Sequence, residues 1–338
     1  MKLFSNYTNV INKALSNQTI NESKDLHKGL GSVEYFAPYT IEDYSKDKKE
    51  LKISQDLTSV ATQMGAVYID NQEVGKHPDF AHLKYSGLTE KHYIISAFID
   101  IKNSTNLYKR YDEETIYIIT NTVQKLAINI VSIFGGFIQR IQGDGLFVYF
   151  GRKGLLEEKA TEHALMALSI FSYYINNNLK KMFIENNIEN IYTTIGVDLG
   201  KKSKVLWGLA GQDNVSEIGT FSLHSSLASK MQGYAKSNEM VVGDNIKDVV
   251  NYENDLFTVV ENKRYIFEIP EKQFRYTQYV FNWLRHIKTA GYLAISSNSL
   301  ELEVKPQKIG RLPIIEADAL REVAKDNKPY LQNPQSEN

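Results

Sequence analysis

One stretch constrains this chain more than any other. Tyr93-Ile94-Ile95-Ser96-Ala97-Phe98-Ile99-Asp100-Ile101 is apolar, β-branched and aromatic, with an aspartate next to its end. Such a run reads as a buried strand. From Glu114, apolar residues recur at Ile116, Ile119, Val123, Leu126, Ile130 and Phe134, a helical period that stops at Gly135-Gly136. Ser104 or Thr105 is the expected cap of that helix. Residues 137–142 and 146–150 then read as strands joined by the hairpin turn Gly143-Asp144-Gly145. A second helix carries Ala164, Leu168, Phe171, Ile175 and Leu179 on one face. Residues 191–199 and 204–209 read as strands, 222–235 as a helix and 240–242 as a last strand. The order is β-α-β-β-α-β with elements appended. It predicts an α+β, ferredoxin-like fold, a mostly antiparallel sheet with helices on one face.

This unit spans residues 93–250, and the remainder divides around it. Residues 1–92 form a polar N-terminal extension, expected to be irregular apart from a short amphipathic helix at 10–15. Residues 251–323 are rich in Tyr and Phe and read as a small C-terminal region, sensory or regulatory, with two strands and an amphipathic helix near 274–287. Their aromatic excess reads as a small core rather than a base-stacking platform. Residues 324–338 are polar, and disorder is expected there. With 42% apolar and 23% charged residues in 338, the chain can build a sizeable core. A net charge of −1 gives no general attraction to nucleic acid or anionic lipid. The absence of cysteine excludes disulfides, a thiol nucleophile and thiolate metal sites. No apolar run reaches the ~20 residues of a membrane span, and residues 1–6 lack the apolar stretch of a secretory signal. The expectation is a soluble, cytoplasmic protein whose chemistry comes from carboxylates, amines, hydroxyls, histidine or a bound metal.

Two aspartates stand out. Asp100 lies at a strand end opening into a helix, where free backbone N–H groups can hold phosphate oxygens and a carboxylate can hold a hard cation. Alone, it reads as a helix cap. Asp144 lies in a Gly-Asp-Gly turn, which alone is ordinary hairpin chemistry. Topology changes both readings. In a βαββαβ sheet the first strand lies beside the hairpin, so both carboxylates fall at the same sheet edge, within reach of one or two cations. Other residues read more plainly. Asp198 is expected to be a solvated strand terminus, and His163 and His224 lie on helices at no metal-binding spacing.

Phe98-Ile99-Asp100-Ile101 with Ser104-Thr105, and Arg140-Ile141-Gln142-Gly143-Asp144, resemble the two metal-binding motifs of class III nucleotidyl cyclases. Leu227-Ala228-Ser229-Lys230-Met231-Gln232, followed by Ala235 and Glu239-Met240-Val241-Val242, is similar to that family's third motif. The likeness covers about 150 residues and is closest to the pyrimidine cyclases of bacterial Pycsar antiphage defence. It implies that Asp100, Asp144 and the Ile101 carbonyl hold Mn²⁺ or Mg²⁺, two ions per active site. Phe98 would line the substrate site, and Asn103, Ser104 and Thr105 would face the β- and γ-phosphates. Ser226 and Lys230 stand where adenylate cyclases carry an Asn and the Arg that steadies the transferring phosphate. Lysine can neutralise that charge without the bidentate fork. Arg140 stands where those enzymes place the adenine-reading Lys, and the partner acid position falls at Gly219-Thr220, where no acid is present.

The resemblance therefore implies a pyrimidine nucleotide cyclase, acting on CTP or UTP as a homodimer with composite active sites. Its cyclic product would act on a downstream effector during phage infection. Closeness to cytidylate-forming members places CTP first. Another palm-type cyclase, adenylate, guanylate or diguanylate, is one alternative, although Gly143-Asp144-Gly145-Leu146 lacks the Glu-Phe of the diguanylate cyclases' turn. A cyclase-like module that senses a nucleotide without turning it over is another.

Overall fold

In the computed structural model, residues 55–296 and 301–305 are described throughout, together with residues 4, 7–13, 15, 43, 45 and 46. The expected tail at 324–338 lies outside the described residues. The elements that build the site are α1 (Gln55–Gln63), β1 (Glu90–Lys91), β2 (Ile94–Ile101), α2 (Glu113–Ile133), β3 (Gly136–Gln142), β4 (Gly145–Phe150) and α3 (Glu157–Tyr174). They continue with β5 (Thr193–Gly200), β6 (Leu206–Gln212), β7 (Val215–Phe221), α4 (Leu223–Tyr234), β8 (Met240–Gly243) and α5 (Asp244–Val249). Last come β9 (Phe257–Val259), β10 (Ile266–Ile269), β11 (Phe274–Phe281), α6 (Trp283–Thr289), β12 (Leu293–Ile295) and β13 (Leu302–Val304).

The main sheet runs β10-β11-β8-β5-β2-β4-β3, with β9 also paired to β11. Its centre, β5-β2-β4-β3, is antiparallel throughout, which is the βαββαβ arrangement expected from the sequence. β8 joins β5 in parallel. Side chains alternate across the sheet: Ile95, Ala97, Ile99 and Ile101 of β2 enter the large core beneath α2 and α3. Ser96, Phe98 and Asp100 therefore face the other way, where α4 lies. The expectation of helices on one face holds for α2 and α3, and α4 corrects it.

α2 begins later than expected. Its cap is Asp112, whose Oδ1 accepts the Thr115 N–H at 2.8 Å. Between β2 and α2 the chain makes a 3₁₀ turn, Ser104–Lys109, entered from Asn103 in the left-handed region at φ 56°. Ser104 and Thr105 thus open this turn rather than the long helix. α2 is the one helix, among the described residues, long and apolar enough to cross a bilayer. Its apolar stripe is instead spent on the core, with Ile119, Leu126 and Ile130 at or below 1% exposure.

The C-terminal expectation also needs correction. Residues 274–281 are strand rather than helix, because Phe274-Arg275-Tyr276-Thr277-Gln278-Tyr279-Val280-Phe281 is β-branched and aromatic. The helix starts only at Trp283, where Asn282 Oδ1 accepts the Arg285 N–H at 3.0 Å. β11 pairs with β8, so this segment extends the main sheet. The described residues up to Val304 belong to one compact unit.

Part of the N-terminal extension is ordered against the same unit. Gln72 bridges the outer strand β3, donating to the Gly136 carbonyl at 2.8 Å and accepting the Ile138 N–H at 2.9 Å. The Gly75 N–H adds a bond to the Ile138 carbonyl. This strap covers an edge that would otherwise present unpaired backbone. Phe80 beyond it stacks on the buried Trp207, with ring centroids 3.9 Å apart. Residues 7–13 are helical, and Tyr7, Ile11 and Leu15 are buried, in keeping with the amphipathic helix expected there.

Candidate active site

β2 delivers Asp100 one residue before its end, and the β3–β4 turn delivers Asp144. Ile99 lies opposite Leu146 in the β2–β4 ladder, so the strand end and the turn meet at one edge. The two carboxyl groups come close enough for the Asp144 charge to act on Asp100. Gly145 makes the approach possible: a Cβ there would sit 2.8 Å from Asp100 Oδ1 and 3.0 Å from the Ile99 carbonyl oxygen. Any side chain would push the turn away.

Two carboxylates brought this close repel each other, and a proton or a cation between them relieves the repulsion. Burial, followed by the Asp144 charge, pushes the Asp100 carboxyl up to about 6, while the Ile101 N–H and the Gln232 amide pull it down. Gln232 Nε2 donates to Asp100 Oδ2 at 3.1 Å and to Thr194 Oγ1 at 2.8 Å. Asp144 Oδ2 is buried and has no hydrogen-bond partner. Leaving a buried polar atom unsatisfied costs about 1–3 kcal/mol, and a cation relieves that cost directly. The donor set suits a hard ion, with oxygens from Asp100, Asp144 and the Ile101 carbonyl and the remainder left to water and phosphate. Among the described residues, no cluster of three or more His, Asp or Glu forms a self-sufficient metal cage.

A cavity of about 310 Å³ opens over Asp100, lined also by Phe98, Gln142, Leu146, Ser229 and Gln232. Phe98 stacks on Phe147 at 4.1 Å, which fixes the cavity wall. A second cavity of about 380 Å³ follows the chain onward past Asn103 to Lys109 and Arg110. Lys102 is tied down within it, donating from Nζ to the Ala235 carbonyl at 2.8 Å. Ser104 and Thr105 begin the 3₁₀ turn that forms one wall.

The remaining expected residues are not brought to Asp100 within one chain. Ser226 and Lys230 are exposed on α4 and line neither cavity. Ser226 Oγ donates to the Ser222 carbonyl, and Lys230 Nζ lies 5.9 Å from the centre of the Phe267 ring. Arg140 is exposed on β3 and forms an ion pair with Glu217 of β7. Here the sequence reading is corrected: an acid does face Arg140, two residues before Gly219. Residues 217 and 219 share a strand face, so the period of two could have found it. Thr220 points to the other face, with its Oγ1 2.8 Å from the Tyr149 hydroxyl. Gln232 was missed as a neighbour of Asp100, and Asp198 was misread: it is fully buried.

Residues 89–282 match the family model "Adenylate and Guanylate cyclase catalytic domain". The chain is 32% identical over 279 residues to a cytidylate cyclase of Staphylococcus aureus, covering 80% of this chain and 65% of that one. It is 30% identical over 270 residues to a cytidylate cyclase of Escherichia coli, covering 74% of this chain and 58% of that one. It thus spans somewhat under two thirds of these relatives' length. Among solved structures, the adenylyl cyclase CyaB from P. aeruginosa superposes with a TM-score of 0.49 at 15% identity, over 57% of this chain and 95% of that one. The family match takes in more than half of the sequence, including Asp100, Asp144, Arg140 and Lys230, and the chain belongs to the adenylate and guanylate cyclase catalytic domain family.

Proposed function

We propose that the chain is a pyrimidine nucleotide cyclase, converting CTP, or UTP, to the 3′,5′-cyclic monophosphate and diphosphate. The observation that carries this reading is the meeting of Asp100 and Asp144 at one sheet edge, with a buried oxygen of Asp144 left unsatisfied. The cytidylate cyclases among its relatives direct it to pyrimidines. A divalent cation held by Asp100, Asp144 and the Ile101 carbonyl, Mn²⁺ or Mg²⁺ and two per site, would supply Lewis acidity at the 3′-hydroxyl and the phosphates. The ribose 3′-oxygen gives up its proton to solvent water and attacks the α-phosphorus in line. The bond from that phosphorus to the bridging oxygen breaks, and diphosphate leaves with the electron pair.

The protein's own part is positioning and charge neutralisation. Phe98 walls the cavity, and the Asn103–Thr105 segment offers backbone N–H groups to the outer phosphates. Lys230 and Arg140, with Ser226, serve the site of a second copy, since their own chain keeps them away from Asp100. The assembly is then a two-fold homodimer with two shared sites. On this reading the chain works in the cytoplasm, and its cyclic product is a second messenger of antiviral defence acting on a separate effector.

Base choice gives the test. Arg140 held by Glu217 does not reproduce the Lys/Asp pair that reads adenine. In an equimolar mixture of the four nucleoside triphosphates with Mn²⁺, a pyrimidine is turned over at least about 10-fold faster than either purine. Mass spectrometry of the products checks it. ATP or GTP as the best substrate overturns the pyrimidine reading, and binding without a cyclic product overturns the cyclase reading.

A further inference from the structure

Asp198 lies on β5 with no exposed surface, on the face that carries α4. A buried carboxylate is costly unless its lone pairs are met. Three donors meet this one: the Leu199 N–H at 2.9 Å, His224 Nδ1 at 2.8 Å and the Tyr276 hydroxyl at 2.5 Å. The surrounding bonds fix who donates. Asn245 Nδ2 donates to the Leu199 carbonyl at 2.8 Å and turns the same amino group to His224 Nε2 at 3.4 Å. Nε2 is therefore the acceptor, and Nδ1 carries the hydrogen towards Asp198. The Tyr276 oxygen accepts the Asn245 N–H at 3.0 Å, which leaves its single hydrogen for Asp198.

This small network joins four elements. His224 stands in the first turn of α4, Asn245 in the first turn of α5, Asp198 on β5 and Tyr276 on β11. It has no slack: a Cβ on Gly243 would fall 2.1 Å from Asp198 Oδ1 and 2.6 Å from the Tyr276 hydroxyl. Ser225, the next residue of α4, is held in turn by Ser96 Oγ at 2.8 Å and Thr220 Oγ1 at 3.0 Å. The start of α4 is thus pinned to the sheet from several sides. Eight residues further along the same stiff rod, about 12 Å away, Gln232 grips Asp100.

We infer that Asp198, His224 and Tyr276 are positioning residues of the active site: they set the depth and tilt of α4, and through Gln232 the orientation of the Asp100 carboxylate. The C-terminal strand β11 is then part of the catalytic apparatus rather than an accessory to it. The consequence for turnover rests on the cyclase reading, while the consequence for α4 does not.

The test compares Tyr276→Phe, His224→Leu and His224→Asn in the full chain, the last because the Asn amide nitrogen falls near the position of Nδ1. Leu293→Ala on β12 is a destabilised control far from α4. With CTP or UTP and Mn²⁺, Tyr276→Phe and His224→Leu lower kcat by roughly 10- to 100-fold with KM within about twofold, and His224→Asn recovers most of the loss. Amide hydrogen exchange at residues 228–234 quickens at least about fivefold relative to β2 in the first two variants only. The inference is overturned if folded Tyr276→Phe and His224→Leu keep wild-type kcat, or if Leu293→Ala loses as much. If the wild-type protein turns over no triphosphate, the cyclase reading falls alone. Exchange at 228–234 then decides: quickening in Tyr276→Phe upholds the pinning of α4, and no change refutes it.

Discussion

Asp100→Asn and Asp144→Asn each lower cyclic-nucleotide production at least about 100-fold, and neither unfolds the protein. The amide keeps the shape of the carboxyl group but removes the charge that attracts a cation. The stability effect has the opposite sign to the activity effect. The Asp100 carboxyl titrates near 6 in the folded chain, above its ordinary 3.8. The native state therefore binds the proton more tightly than the unfolded state, and stability falls as pH rises through that window. At pH 7 the penalty is fully present. Asp100 is only half-buried, so after solvent screening the penalty is on the order of 1 kcal/mol. Asp100→Asn removes it, so its melting temperature at pH 7 equals or exceeds that of the wild type, and the advantage shrinks towards pH 4. Calorimetry at pH 7 and pH 4, beside product analysis, checks both halves. A variant with wild-type turnover removes the pair from the chemistry.

The second large effect is expected at Gly196. This residue of β5 faces α4, and a Cβ there would lie 2.1 Å from the Ala228 carbonyl oxygen and 2.4 Å from the Gln232 nitrogen. Both are helix backbone, which cannot rotate away as a side-chain tip can. Gly196→Ala therefore lifts α4 off the sheet bodily, at a cost of about 3 kcal/mol or more. The melting temperature drops by roughly 6–10 °C. Because Gln232 is one of the displaced residues, activity falls further than the lost stability explains at temperatures where the variant is folded. A variant that melts within a degree or two of the wild type shows that the helix does not sit as close as the structure has it.

The sequence revealed what local periodicity encodes. β2 and β4 are apolar, β-branched and aromatic runs, α2 carries a clean helical period, and strand order follows from the βαββαβ pattern. That order alone places Asp100 and Asp144 at one sheet edge. What stayed hidden depends on contacts across the chain. Asp198 looked like a solvated strand end because its partners His224 and Tyr276 lie 26 and 78 residues away. The strap at Gln72 was invisible for the same reason, since the groups it bridges are 64 and 66 residues further on. The start of α2 was misplaced because a 3₁₀ turn, which has no hydrophobic stripe of its own, fills residues 104–109. β11 was taken for a helix because its apolar positions run on into the short helix α6, and only Asn282 marks the break. Arg140, Ser226 and Lys230 rest on the family resemblance alone, and one chain does not gather them around Asp100.

That separation makes a mixing experiment the most direct measurement of the whole account. Asp100→Ala and Lys230→Ala are each inactive alone, because every site in either homodimer carries a lesion. A dimer of one with the other has one site bearing both lesions and one site bearing neither. Co-expressed and purified as verified heterodimers, the pair regains pyrimidine cyclase activity, up to about half that of the wild type per dimer. Heterodimers that stay inactive, made from variants that are each folded and inactive alone, contradict the shared site and place the chemistry within a single chain.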